Sequence, residues 1–524
     1  MAAITAARRG ARTLVVEKDE KVGGVTALSG GQLWVGANHL ETALGIDDSV
    51  SETEDYLLFV SAGYAERSLR EGFARRAPEA VRFLVDTLGV ELAVITGNPD
   101  YYYPVAPGSK AAGRVLEVDP FPAQRLGDWA ERTVISPYGN SYATYREMLG
   151  GSGGPKTLMG EGGSNEHAER DERCAGAGLA AALVEAALRH GVEIRPGTAA
   201  IRLCHGASGV TGVIVWDGRQ ETAVRAPGVV LATGGYDHNV EFMRSYEDVT
   251  EYGSMVPPTV RGDHLVMGAE VGAMISGARP PYSNPIPIGF RIPGQSVNGR
   301  PMDRSYQPGR PHAIIVNREG RRFADDSFYP DVLAALHDAR SGTTGLTNWP
   351  AWLIFDQTYR DRYPFATLSP SDPLPDGFVV TASTVRQLAV EVGIDEAGLE
   401  ATVERFNSFC ADGVDAEFAR GSRPWARLMT GDGDLPNPNL GPIERAPFHA
   451  LRLQRVGNGV PSVGLKTDAD ARVLDVRGHV IPGLFAAGNA SAQLDIGAYY
   501  NSGMSNTRGI LYGHRAGLAL NAHA

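Results

Sequence analysis

Residues 15–31 read Val15-Val16-Glu17-Lys18-Asp19-Glu20-Lys21-Val22-Gly23-Gly24-Val25-Thr26-Ala27-Leu28-Ser29-Gly30-Gly31. The apolar run Thr13 to Val16 is a short buried strand, and it ends in a carboxylate, Glu17, followed by Lys18. A carboxylate at the end of the second strand of a βαβ unit accepts hydrogen bonds from an adenosine ribose. The glycine pairs Gly23-Gly24 and Gly30-Gly31 bare backbone amides, and Thr26 and Ser29 add hydroxyls between them. That combination suits a pyrophosphate. Upstream, residues 2–9 are Ala-rich and helical, and Gly10 is a natural helix stop.

Two later segments agree with this reading. Val229 to Gly235 (VVLATGG) is a buried strand that runs into the small-residue turn Ala232-Thr233-Gly234. Gly483 to Asn489 (GLFAAGN) is a strand ending in Ala487-Gly488-Asn489. Small residues at strand ends let a phosphate-bearing chain lie against backbone. Ala200, in the strand-like run 192–203, and Ser505 and Asn506, at the start of the final helix, complete the expected cofactor contacts. The N-terminal amides of that helix would aim at the electron-rich edge of the cofactor.

Composition agrees with a globular chain built around a nucleotide. The 524 residues contain 64 glycines, about 12%, against a usual ~7%. Charged residues are 21% and hydrophobic ones 43%, which excludes global disorder. The net charge of −12 argues against nucleic acid as a partner. Three dispersed cysteines, Cys174, Cys204 and Cys410, offer neither a disulfide framework nor a C-x-x-C site, so a cytoplasmic setting is expected. No apolar run reaches membrane-spanning length. The twelve histidines show no metal-ligand spacing, so no metal is expected.

Along the chain, Ser51-Glu52-Thr53-Glu54 is expected to cap a helix, and helical periodicity continues to about residue 88. Residues 96–165 read as irregular connections, and Gly178 to His190 as an apolar helix. Strand-like runs follow to residue 232. Residues 277–312 shift toward Pro, Gly and Arg, residues 313–434 alternate strands and helices, and the nucleotide-type loops return after 445. The expected fold is therefore α/β: a Rossmann-like cofactor domain split into residues 1–276 and 435–524, with an α+β substrate domain inserted at 277–434.

The motifs VVEK, GGVTALSGG, ATGG, NREGRRFADDSFY, NPNLGPIERAPF, GLKTDADARVLD and GLFAAGN resemble those of the FAD-dependent family that contains fumarate reductase flavoproteins and 3-ketosteroid dehydrogenases. The resemblance covers essentially the whole chain and implies FAD, a split FAD domain and an inserted catalytic domain. The family's G-x-G-x-x-G loop and its strand, about 15–25 residues on the pattern of a βαβ unit, would lie before Met1. Either the start lies further upstream or the chain is a fragment; in the second case FAD affinity is expected to be poor, and a non-enzymatic chain is the corresponding alternative.

Within the family, fumarate reductases place an Arg just after the R-F-x-x-D segment. Here the segment runs Arg322-Phe323-Ala324-Asp325-Asp326-Ser327-Phe328-Tyr329, with no further Arg until Arg340. A dicarboxylate needs cations, and a neutral ketone does not. The resemblance therefore implies a small apolar, 3-ketosteroid-like ketone, desaturated beside its carbonyl, with a quinone or other acceptor reoxidising the flavin. Tyr500-Asn501-Ser502-Gly503 is similar to the Tyr-x-Ser-Gly of the Δ4-(5α) enzymes, and the desaturated bond stays open. Tyr329 is the candidate base. Tyr500, with Ser502 or the Gly503 amide, is the candidate oxyanion partner. A phenol near ~10 needs a neighbouring donor or cation to serve as base. Tyr499, adjacent to Tyr500, should point elsewhere. Tyr101-Tyr102-Tyr103-Pro104 reads as an aromatic turn ahead of a pocket wall. Asp263 is expected to cap the helix bearing His264, and His449 to be structural or to face the flavin. The rival reading, reduction of an unsaturated acid, needs Arg291, Arg300 or Arg304 at the substrate.

Overall fold

The computed structural model describes residues 1–150, 165–277, 287–338 and 345–520. Arg340 lies outside them.

The first helix, Ala2–Arg8, and the strand Leu14–Val16 form where their patterns place them. The strand pairs in parallel with Glu193–Arg195, and the apolar helix Ala175–Arg189 precedes that partner. This is a βαβ arrangement, and it brings residue 17 beside residue 198: the Thr198 amide donates to the Glu17 carbonyl at 2.7 Å. A second parallel pair, Val229–Leu231 with Val480–Ala486, unites the two glycine-rich strand ends, and the Ala487 amide continues the ladder to Leu231 at 3.0 Å. The antiparallel strands Ala199–Gly206, Gly209–Trp216 and Glu221–Arg225 form a side sheet. The final helix, Met504–Leu520, starts one residue before Ser505.

The inserted unit is built on a four-stranded sheet in the order 313–316, 352–356, 448–452, 380–382. Its first two strands are apolar from 313 to 316 and from 352 to 355 because both faces are covered. Ala313, Ile315, Leu353 and Phe355 face one cluster, while Ile314, Val316, Trp352 and Ile354 face the other. Phe448–Arg452 is hydrogen-bonded into this sheet, and Gln454–Gly457 joins Ile288–Val297 in the neighbouring one. Both lie in the stretch that the composition assigns to the cofactor unit from residue 435. We therefore place that boundary after Gly457. The Pro- and Gly-rich stretch after 277 is also more regular than its composition suggests, since Ile288–Val297 and Arg300–Ser305 form a hairpin.

The helix Val50–Ser61 starts two residues earlier than expected, and its cap is Ser49, whose hydroxyl accepts from the Glu52 amide at 3.2 Å. Among the described residues no helix is long and apolar enough to cross a membrane.

Behind the cofactor half lies a buried ionic knot. Arg114, 1% exposed, donates to Asp48 at 2.7 Å and to Asp100 at 3.0 Å, and the Trp34 indole donates to Asp100 at 2.7 Å. Burial raises the Asp100 carboxyl above its ordinary range despite the guanidinium. At Asp48 the same burial is outweighed by the Arg114 hydrogen bonds and charge, which hold it low. Removing the cation leaves two buried carboxylates unpaired. Arg114→Met should therefore destabilise by about 3–5 kcal/mol, seen as a lower midpoint in thermal unfolding; an unchanged midpoint would show that the knot is not a support.

Candidate active site

The cofactor signals converge on one cleft. Glu17 is half-buried, and its carboxylate accepts the Asp19 amide at 2.8 Å. Burial raises its carboxyl above the usual range. Lys18 is held by Asp263 at 2.8 Å, so Asp263 does not cap its helix as expected; Gly262 stands at that cap without a side-chain bond. Gly23 caps the short helix Gly24–Leu28, which carries Thr26. The Thr26 hydroxyl donates to Asn506 Oδ1 at 3.2 Å, and Asn506 Nδ2 donates to the Gln32 carbonyl at 3.1 Å. The first turn of the last helix is thus clipped to the first glycine-rich segment. The Ser29 hydroxyl donates to the Thr26 carbonyl at 2.8 Å. At Gly30 the neighbour is protein, since a Cβ there would collide with the Tyr145 hydroxyl. Gly31 packs on the backbone of Ala175.

From the other wall, Ala232 is exposed and Gly234 half-buried, and Thr233 Oγ1 lies 2.9 Å from His264 Nδ1. Burial lowers His264 to about 3, so the ring is neutral, and its Nε2 has no partner. Gly488 lies 3.7 Å, measured from a Cβ placed on it, from Gly509 Cα. Asn489 Nδ2 donates to the Gly459 carbonyl at 2.7 Å. Ala200 is half-buried at the start of its strand, two residues past the Thr198 contact with Glu17.

The tyrosines meet at the far side of this cleft. Tyr329 opens the helix Tyr329–Leu336, just after a buried charge clamp: Asp326 binds Arg322 at 2.9 Å and Arg420 at 3.0 Å. The Tyr329 hydroxyl lies 3.5 Å from that of Tyr101, with the two rings edge-to-face at 5.9 Å. Trp425 closes the group, 4.2 Å from the Tyr101 ring. Tyr500 acts electrostatically on Tyr101, Tyr145 and Tyr329. Tyr499 points elsewhere, as expected, and lies against Tyr102 at 5.8 Å. Ser502 donates to Gln32 Oε1. Gly503 has φ +98°, and a Cβ there would stand 2.6 Å from the Trp34 amide nitrogen, so only glycine lets the chain pass.

Tyr101 and Tyr145 are the residues that pattern reasoning missed. The Tyr101–Tyr103 run contained the signal, but its reading as a plain turn concealed the pocket wall. Asn501 is the other omission. It is fully buried, and its Oδ1 accepts from the Tyr56 hydroxyl at 2.7 Å and the Tyr101 amide at 2.9 Å. His449 is structural: it stacks on Phe355 at 4.9 Å and bonds Thr381 at 2.9 Å. Of the three arginines that a dicarboxylate would need, Arg291 is paired with Asp303 at 2.8 Å, Arg300 is exposed on the hairpin, and Arg304 lies over the Tyr138 ring. None of them bonds the tyrosines.

The chain matches the FAD binding domain family over residues 1–505. It belongs to that family. This flavoprotein is 34% identical, over its entire length, to 4-oxocyclohexanecarboxylate 2-dehydrogenase of Sinomonas cyclohexanicum, and the match covers 91% of that protein. It is 31% identical over 99% of its length to 3-oxosteroid 1-dehydrogenase of Mycobacterium tuberculosis, covering 95% of it. The solved structure of 3-ketosteroid Δ1-dehydrogenase from Sterolibacterium denitrificans is similar with a TM-score of 0.86 at 29% identity, covering 100% of this chain and 98% of that one. FAD is the cofactor of the family, and the cleft fits it: Asn489 Oδ1, Ser505 Oγ and His264 Nε2 are buried polar atoms on its walls without a protein partner. Such atoms require a ligand or water.

One prediction concerns Asn501. Replacing it by Leu removes the acceptor that Tyr101 and Tyr56 share. Turnover should drop at least tenfold while bound FAD, read by its absorbance, is kept; Asn501→Asp, which retains an oxygen at the position, should recover part of it.

Proposed function

We propose that this protein is an FAD-dependent dehydrogenase that desaturates a cyclic, steroid-like ketone between its α and β carbons. The observation that carries the reading is the hydroxyl pair Tyr329–Tyr101 beside Tyr500, a group of neutral phenols where an acid substrate would need cations. The similarity to ketone dehydrogenases over the whole chain supports it.

The residues that hold FAD are Glu17 and Lys18 at the ribose end, Gly23, Gly24, Thr26, Ser29, Gly30 and Gly31 along the glycine segment, and Ala200, Ala232, Thr233, Gly234, Gly488, Asn489, Ser505 and Asn506 on the facing walls. When bound, FAD supplies the acceptor for the β hydride. The Tyr500 hydroxyl, with Ser502 and the Gly503 amide around it, takes the ketone oxygen as it gains enolate character. Tyr329 removes the α proton. Tyr101 is the relay: its hydroxyl oxygen accepts from the Tyr329 hydroxyl at 3.5 Å, the path by which Tyr329 passes on its proton. Phe328, Trp425 and the tyrosine rings exclude water from the reacting ring. Electrons leave to a quinone or another acceptor.

Burial raises both Tyr329 and Tyr101 above the usual phenol range, and their mutual repulsion as anions adds to this at Tyr329. The basic form is therefore scarce at neutral pH. Turnover should climb with pH from 7 to 10 without levelling, because phenolate becomes more abundant as pH approaches a raised pKa. A plateau below pH 8 would contradict a phenol base. Tyr329→Phe should lose about 10²–10⁴ in turnover, keep its FAD and lose the slope. Unchanged turnover would remove Tyr329 as the base.

A further inference from the structure

The four-stranded sheet of the inserted unit ends beside a pocket. Val316, Trp352 and Arg452 stand side by side at the last rungs of three strands, and Val380 opens the fourth. The helix Val385–Val392 stops at the same end, where Gly393 takes φ +73°. Between the end of the sheet and the end of the helix lies a cavity of about 420 Å³. Small-molecule sites commonly occupy about 300–1,000 Å³. Trp352, Val380 and Val392 give it an apolar lining, and all three belong to the cluster on one face of the sheet. Tyr329 packs against the cluster on the other face. Among the described residues, none of the tyrosine group and none of the glycine-rich segments lines this cavity.

Three charged side chains complete the lining. Arg318 and Arg452 are both exposed, and neither has a carboxylate partner among the described residues. Their backbones are fixed: the Asp395 amide donates to the Arg318 carbonyl at 3.0 Å, and Arg452 pairs with Trp352 in the ladder. The guanidiniums themselves stay available to a ligand. Glu391, in the last turn of the helix, is the carboxylate of the lining, and it too has no ion-pair partner among the described residues. Two guanidiniums against one carboxylate leave the pocket positive. Trp352 is only 6% exposed, so the apolar surface lies deep and the charges lie around it.

We propose that this pocket binds a small anionic amphiphile, an apolar ring or chain carrying one carboxylate, at a site separate from the FAD cleft. Trp352 and the two valines receive the apolar body, whose removal from water supplies most of the affinity. Arg318 and Arg452 receive the carboxylate through planar sets of N–H donors that match its two oxygens. An exposed ion pair is weak by itself, so the arginines set the preference for an anion and the apolar floor sets the strength. Glu391 repels the same anion, which gives its removal the opposite sign.

The test titrates the FAD-loaded protein with two fluorescent dyes: 8-anilinonaphthalene-1-sulfonate, whose sulfonate stands in for the carboxylate, and N-phenyl-1-naphthylamine, the same ring system without the charge. The sulfonate should bind saturably, and 2-naphthoate should displace it. Arg318→Gln combined with Arg452→Gln should weaken the sulfonate about tenfold, leave the neutral dye within twofold and retain FAD. Glu391→Gln should tighten the sulfonate at least twofold. Sulfonate binding that is absent, indifferent to 2-naphthoate or unchanged in the double variant would overturn the proposal. So would an equal loss of both dyes in the double variant, or weaker sulfonate binding in Glu391→Gln. The titration involves no turnover, so its result stands apart from the reading of the tyrosine group as a ketone dehydrogenase.

Discussion

One buried amide oxygen holds the reacting groups together. Asn501 Oδ1 accepts two hydrogen bonds, one from the backbone of Tyr101 and one from the side chain of Tyr56. Those residues are about 400 positions away in the chain, and Asn501 itself sits between Tyr500 and Ser502. The loop before the last helix is also tied by the Tyr499 amide, which donates to the Val60 carbonyl at 2.8 Å, and the Tyr101 turn by the Asp100 amide, which donates to the Lys110 carbonyl at 2.9 Å. This oxygen joins the two segments, and the ionic knot lies behind it. Asp100, one residue before Tyr101, is fixed by Arg114, the Trp34 indole and the Lys110 amide. Trp34 also bonds the last helix, since its amide donates to Thr507 at 3.0 Å. Tyr101 and the segment from Tyr500 to Ser502 are therefore tied to one another and to the last helix.

The expense of that knot in burial explains its shape. A guanidinium alone in this interior would be strongly disfavoured, and so would either carboxylate. Together, with every Asp100 and Asp48 oxygen receiving a donor, they make a rigid wall. The same argument applied to Arg304 gives the opposite result. There the hairpin supplies an amide oxygen and a thioether where the knot supplies carboxylates, and burial holds Arg304 below the ordinary guanidinium range.

What was legible in the sequence was whatever a short stretch encodes. Glu17 after a strand, the paired glycines, ATGG and AAGN are local, because a strand end and its turn are made by adjacent residues. They come together in the fold as expected, and the α/β class follows from them. The tyrosine group is different. Tyr101, Tyr145, Tyr329 and Tyr500 come from four separated segments, and an aromatic beside a proline has the same pattern whether it lines a pocket or fills a turn. Asp263 was misread for a related reason: a carboxylate at a helix start looks like a cap until a lysine from residue 18 is placed beside it. The boundary after residue 434 was also invisible, because Phe448–Arg452 has the same apolar composition in either unit and only its hydrogen-bonded neighbours distinguish them.

The choice of phenols over charged acids and bases follows from the substrate these walls can accept. A ketone α proton is weakly acidic, and a buried phenolate is a stronger base toward it than a carboxylate. Burial makes that base scarce and also stronger, and the Tyr329 hydroxyl donates to Tyr101 at 3.5 Å, which favours its protonated form further. A lysine or arginine in the same place would lower the phenol pKa and weaken the base, while its own charge would have to be buried against an apolar ring. The groups that act on the Tyr329 hydroxyl are accordingly other phenols, Tyr101, Tyr500 and Tyr102, and each keeps it in its neutral form.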